Sequence, residues 1–217
     1  MLPKAKALTV RSWPQHQPLA VQDVRSAKAL TVISVMTPVI PCRMSARVLL
    51  REALCQTLGE VLGQPAGSVK LASQPGEAIE MVSLPGCPDL SLSHAPGLSI
   101  ASICRGAKVG VDLMRIEDGV ASDPDWVRVA RDYLGPQVTA LLLTTPLAEC
   151  SVEFVKAWTR FEASLKCLGI ALTEWSPELD KQLTACHVVT LDFDKIYSGS
   201  HAIVGNYFGS VAVDRSL

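Results

Sequence analysis

Apolar positions along this chain change spacing several times, and the changes mark out its elements. Over Arg43–Leu62, Leu50, Leu54 and Leu58 recur at every fourth residue, with Arg47 and Arg51 as a basic stripe beside them. That spacing predicts an amphipathic helix, stopped by Gly63 and Pro65. Residues 69–72 predict a short strand, followed by a Pro- and Gly-rich loop through Pro88. Leu90-Ser91-Leu92-Ser93 alternates with a period of two and runs into His94-Ala95-Pro96-Gly97, which predicts a strand and then a turn. Leu98–Cys104 and residues 108–114 predict two more strands joined at Arg105-Gly106. A loop containing Asp118, Gly119, Ser122, Asp123 and Pro124 follows, then helices over 125–134 and 138–143 separated by Gly135-Pro136. The clearest helix spans 153–168 and is closed by Gly169. Residues 187–213 read as strand-rich with a turn at Ser198-Gly199-Ser200. Strands and helices in this order predict an α+β protein of two lobes of similar size.

The hexapeptide Ala-Lys-Ala-Leu-Thr-Val occurs at 5–10 and again at 27–32. Two copies are too few for a solenoid, and each is short enough to be a strand.

Composition narrows the function classes. Hydrophobic residues are 48% and charged residues 19% of 217, which fits a folded globular chain rather than a disordered one. The formal charge of −1 argues against nucleic acid or an anionic membrane as a general electrostatic partner. An anionic ligand would have to be held by a local cluster of Lys and Arg. Seven cysteines lie scattered at 42, 55, 87, 104, 150, 167 and 186 with no CxxC pair, which predicts buried free thiols in a reducing compartment. The N-terminal region lacks the apolar run of a signal peptide, and the stretch 29–40 is broken by Thr, Ser and Pro. It is too short to span a bilayer, so the expected protein is soluble and cytoplasmic.

Two segments carry candidate chemistry. Trp158, Glu162 and Lys166 are spaced four apart on one side of the 153–168 helix. Taken alone, Glu162 and Lys166 make a surface ion pair worth a few tenths of a kcal/mol at roughly the usual helical value. Val109-Gly110-Val111-Asp112 ends an apolar strand on an acid, with Val109, Val111 and Leu113 on one face and Asp112 and Met114 on the other. An acid there is costly to bury unless it is paired or holds a metal. A strand acid and a helix acid together suit Mg²⁺, which takes one or two carboxylates alongside phosphate oxygens and waters.

In order and spacing, these pieces resemble the 4′-phosphopantetheinyl transferases of the larger, two-lobed type. That family has Gly-hydrophobic-Asp, then after some tens of residues Trp-x-x-Lys-Glu-(Ala/Ser)-x-x-Lys. Here the pieces are Gly110-Val111-Asp112 and Trp158-Thr159-Arg160-Phe161-Glu162-Ala163-Ser164-Leu165-Lys166, with Phe154 also matching. A strand ending in Ser-His lies upstream as Ser93-His94. The resemblance covers roughly residues 43 to 213.

It implies two similar lobes in a pseudo-twofold arrangement, each a small antiparallel sheet packed against a long helix. The N-terminal lobe would be 1–104, with 1–35 a leader and first strands, and the C-terminal lobe 105–217 would carry the metal motifs. The implied reaction moves the phosphopantetheine arm of coenzyme A onto a serine of an acyl or peptidyl carrier protein, releasing 3′,5′-ADP. Asp112 and Glu162 would hold Mg²⁺, and Glu162, Asp112 and Lys166 would carry catalysis. His94, Arg47, Arg43 and Lys166 would hold coenzyme A, with Arg51 as a further helper. A monomer is the expected state.

Four positions depart from the family pattern. Phe161 stands for the Lys before the helix acid, and Met114 stands where a second acid is frequent. No acid lies near Val138, and Gly76-Glu77-Ala78 replaces Gly-Lys-Pro. These departures leave open a non-catalytic module that keeps coenzyme A or carrier-protein recognition. A plain α+β protein, with Asp112 a satisfied strand acid, is the third reading.

Overall fold

The computed structural model describes residues 6–13, 18–24, 30–37, 43–72, 79–82, 86–116, 125–193 and 207–214. In chain order the elements are β1 (Lys6–Trp13), β2 (Pro18–Val24), β3 (Leu30–Met36), α1 (Arg43–Leu62), β4 (Leu71–Ala72), β5 (Glu80–Met81), β6 (Asp89–Ala95), β7 (Leu98–Cys104) and β8 (Val109–Arg115). Then come α2 (Trp126–Val129), a π-helical turn, α3 (Gly135–Thr144), α4 (Leu147–Leu168), α5 (Pro177–Leu183), β9 (Cys186–Asp192) and β10 (Tyr207–Asp214). The loops at 73–78 and 117–124 and the turn at 198–200 lie outside the described residues.

The strands make a five-stranded sheet in the order β2-β1-β3-β7-β6, a three-stranded sheet in the order β8-β10-β9, and the small β4-β5 pair. All neighbours are antiparallel except β1 and β3. The described residues of the repeated hexapeptide lie in these two strands, and identical residues face each other across the parallel pair, Thr9 opposite Thr31 and Val10 opposite Val32.

Alternation along the strands sorts side chains into two cores. Ile33, Val35, Ala101 and Ile103 turn toward Leu50, Leu54 and Leu58 of α1. Val32, Leu98 and Ile100 point the other way, against Val109, Val111, Leu113 and Val211 of the three-stranded sheet. Strand β7 is buried on both faces over its full length, Ser99 and Ser102 included. On its second face, the three-stranded sheet packs Ala212 against Ala163 and Cys167 of α4. The layers therefore run α1, five-stranded sheet, three-stranded sheet, α4.

Most predicted elements stand, with several corrections. Helix α1 and strand β7 have the expected bounds. Strand β6 continues through Ala95, so the turn is confined to Pro96-Gly97. Helix α4 begins at Leu147 rather than at 153, because Pro146 supplies the first turn's carbonyl and its ring φ suits a helix start. Gly169 ends it with φ 67 in the left-handed region, as a C-cap glycine should. Helix α5 was not anticipated, although Ser176 caps it by accepting the Leu179 N–H at 3.1 Å. Consecutive strands β7 and β8 belong to different sheets. Of the six described cysteines, Cys104, Cys150, Cys167 and Cys186 are buried thiols and Cys55 and Cys87 are half-buried. Among the described residues, no helix is long and apolar enough to cross a membrane.

Candidate functional site

Strand β8 is held differently on its two sides. Against β10 it makes an ordinary antiparallel ladder, with Asp112 opposite Ser210. Toward β6 its N–H groups meet side chains instead of carbonyls. Val109 N–H donates to Asp89 Oδ2 at 2.8 Å, Val111 N–H to Ser91 Oγ at 3.0 Å and Leu113 N–H to Ser93 Oγ at 3.1 Å. Every second residue of β6 thus satisfies a backbone donor that would otherwise be stranded at a sheet edge. The polar half of the Leu-Ser-Leu-Ser alternation is the seam between the two sheets.

That seam reaches the acid. Asp112 is 6% exposed, and its Oδ1 accepts from Ser93 Oγ at 2.9 Å and from Lys166 Nζ at 2.6 Å. Lys166 also donates to the Val111 carbonyl at 3.2 Å. Gly110 makes this approach possible. A Cβ there would lie 1.9 Å from the Ala163 carbonyl oxygen and 2.4 Å from the Cys167 nitrogen, so only glycine lets α4 rest directly on the strand.

Glu162 completes the cluster. Its Oε2 lies 3.8 Å from Lys166 Nζ, and its Oε1 accepts the Trp158 indole N–H at 3.1 Å. Trp158 is in turn fixed by stacking on Phe154 at 6.0 Å and by an edge contact with Tyr133 at 5.7 Å. The sequence-level reading of Glu162 and Lys166 as a simple helix-surface pair is therefore revised. The closer partner of Lys166 is the buried acid on the strand.

Burial first, and then the neighbouring Asp112 carboxylate, push the Glu162 carboxyl above its ordinary value of 4.5, while Lys166 and Trp158 pull it back. A carboxyl whose pKa is raised on folding binds its proton more tightly in the folded state. Its contribution to stability is full below about pH 4.5 and is lost as pH rises through the folded value. Unfolding titrations against pH should show this loss in the native protein, and Glu162→Gln should flatten it. An unchanged profile in Glu162→Gln would place the titrating group elsewhere.

The other candidate residues are placed less centrally. His94 follows Ser93 directly, is exposed, and shares a 2.8 Å hydrogen bond between Nδ1 and Ser99 Oγ. Arg47 is exposed on α1, which packs on the face of the five-stranded sheet turned away from β8. The described contacts do not join it to the carboxylates. Arg43 opens α1, and its side chain lies outside the described ones. Arg51, expected as a ligand helper, donates its guanidinium to the Leu71 carbonyl and so ties α1 to β4. Arg160 reaches Thr190 on β9 at 3.3 Å. Phe161 is 7% exposed and belongs to the core with Ala130, Leu134, Leu142 and Leu165. Met114 packs against that same core.

Two carboxylates, Asp112 and Glu162, face one ammonium, that of Lys166. Asp112 and Glu162 are hard oxygen donors of the kind Mg²⁺ prefers, and two carboxylates are the usual protein share of such a site. Among the described residues, no group of three or more His, Cys, Asp or Glu gathers to hold a metal. Beside the cluster opens a cavity of about 210 Å³ lined by Glu162, Leu165, Lys166, Ile170, Ala171 and Leu172. It is charged at one end and apolar along its wall.

No protein-family model matches the chain, and no curated protein matches it.

Proposed function

We propose that this protein transfers the 4′-phosphopantetheine arm of coenzyme A to a serine of an acyl or peptidyl carrier protein, with Mg²⁺ as the metal. The observation that carries the reading is that three sequence pieces far apart in the chain meet in space. Ser93 of the Ser93-His94 strand end and Lys166 of α4 both bond Asp112 of β8, and Glu162 faces the same ammonium.

Asp112 and Glu162 would hold the ion, which when bound neutralises the pyrophosphate of coenzyme A. The chain's own residues do the rest. Lys166 would offer a positive charge to the phosphate beside the bond that breaks, and His94 would meet another phosphate; Arg47 and Arg43 lie on α1, across the five-stranded sheet from β8, and are left out of this site. The carrier serine oxygen attacks the phosphorus attached to pantetheine, the bond to the bridging oxygen breaks, and 3′,5′-ADP leaves with that oxygen. Glu162, or a water linked to the ion, would accept the serine proton. Positioning and charge stabilisation account for catalysis in such transfers.

In this reading the chain divides into lobes at 1–104 and 105–217, related by a pseudo-twofold, and acts as a cytoplasmic monomer. Each long helix on its own sheet, α1 and α4, supports that division. The buried Phe161 favours a second reading, a module that binds coenzyme A or a carrier protein without turnover.

Intact mass spectrometry of apo carrier proteins incubated with the protein, Mg²⁺ and coenzyme A separates the two. A gain of one phosphopantetheine arm, abolished by chelator, is expected. Asp112→Asn and Glu162→Gln should each lower the rate by more than about a hundredfold while the circular dichroism stays native. Full rates in either variant would remove these acids from the chemistry.

A further inference from the structure

Lys166 stands where a divalent cation would stand, and that position has a consequence for the lysine itself. Its ammonium touches Asp112 Oδ1 at 2.6 Å, lies 3.8 Å from Glu162 Oε2 and donates to the Val111 carbonyl at 3.2 Å. A divalent cation such as Mg²⁺, which prefers carboxylate oxygens, would compete with this ammonium for Asp112 and Glu162. Two cations cannot share one oxygen without strong repulsion. We propose that Lys166 is a tethered counter-ion: it holds the two carboxylates together in the cation-free protein, must leave Asp112 when a divalent cation enters, and is thereby turned toward a phosphate ligand.

The charge balance makes the exchange workable. Asp112, Glu162 and Lys166 sum to −1 when all are ionised, and a divalent cation brings the cluster to +1, a charge suited to a polyanion. A fixed, unpaired Asp112 would be costly at its depth, since a buried carboxylate needs a partner. The lysine supplies that partner until a better cation arrives. Its side chain is one-third exposed, at 34%, on a flexible four-carbon stem, so it can swing away without unpacking α4. Ser93 keeps Asp112 Oδ1 in place during the exchange through its own 2.9 Å hydrogen bond. Lys166 therefore opposes cation binding when phosphate is absent and favours it when phosphate is present. A purely structural lysine would do neither.

The inference rests on the cation-binding part of the proposed function and not on phosphopantetheine transfer, so it is read from Mn²⁺ binding by electron paramagnetic resonance rather than from turnover. Lys166→Met is expected to bind Mn²⁺ about tenfold or more tightly than the native protein when no phosphate is present. Adding inorganic pyrophosphate should reverse that order. The variant's melting temperature should be lower without Mn²⁺ and recover on adding it, and Lys166→Gln serves the same comparison if the methionine variant folds poorly. Lys166→Arg, which keeps the charge, should show no gain in Mn²⁺ affinity. Equal or weaker Mn²⁺ binding by the neutral variants, or no reversal with pyrophosphate, would overturn the counter-ion role. Absence of Mn²⁺ binding in every form would overturn it too. Carrier-protein mass assays report on the transfer reading separately, so the two can fail independently.

Discussion

Gly110→Ala is expected to cost more stability than the same change at Gly59, Gly135 or Gly209. A Cβ at 110 would meet the Ala163 carbonyl oxygen at 1.9 Å and the Cys167 nitrogen at 2.4 Å. Both are backbone atoms of α4, so no side chain can rotate out of the way. The strand or the helix must move, at a cost above the roughly 1–3 kcal/mol of ordinary overpacking. For a chain of this size that corresponds to a fall of roughly 10 °C or more in melting temperature. The functional effect follows from the same shift. Moving α4 off β8 takes Glu162 and Lys166 away from Asp112, so divalent cation binding should weaken even in whatever fraction remains folded. A thermal melt within about 2 °C of the native protein would mean that the strand and helix lie farther apart than 1.9 Å implies.

Phe161→Lys carries the second large effect. The family proposed for this chain has a lysine at this place, so on that reading the substitution looks like a restoration. Its surroundings make it the reverse. Phe161 is 7% exposed, lies 6.1 Å from the Trp158 ring and packs into the core that joins α4 to α3 and the turn before it. Losing a buried phenyl ring costs about 3–5 kcal/mol, and an ammonium left in the same pocket adds a desolvation penalty unless it finds a partner. Chemical denaturation should show a loss of at least about 4 kcal/mol, against about 1 kcal/mol for Phe161→Leu, which keeps most of the apolar volume. Trp158 would lose one of its ring neighbours, so the indole that bonds Glu162 should loosen and carry the carboxylate with it. Native stability together with a rise in transfer rate would show instead that the site tolerates and uses a lysine there, and would favour the reading of a lapsed enzyme.

Both predictions turn on contacts that periodicity cannot report. Sequence alone singled out Asp112 at a strand end, Glu162 and Lys166 on one helix side and Ser93-His94 closing a strand, and the structure brings Ser93, Asp112, Glu162 and Lys166 together. Sequence misjudged how they interact. Glu162 and Lys166, four apart, looked like each other's partners, yet the lysine reaches across 54 positions to Asp112. Ser91 and Ser93 read only as the polar half of an alternating strand, and their hydroxyls close the edge of a different sheet 20 positions later. Arg51 looked available for a phosphate but is spent on the Leu71 carbonyl. Gly110 was visible as part of a motif, while the need for glycine there came only with the helix lying on top of it.

The line between the two kinds of information is physical. Leu50, Leu54 and Leu58 determine that α1 is a helix with one buried side, and Gly169 determines where α4 ends, because both depend on neighbours within a turn or two of the chain. The mostly apolar run Leu98–Cys104 likewise predicts a strand, and it is buried at all seven positions. Which sheet takes the next strand, how closely α4 lies on β8, and which cation Asp112 meets were decided by tertiary packing. Those choices depend on side chains brought together from 19 to 55 positions apart, where the burial of a shared core, and not any local preference, selects the partner.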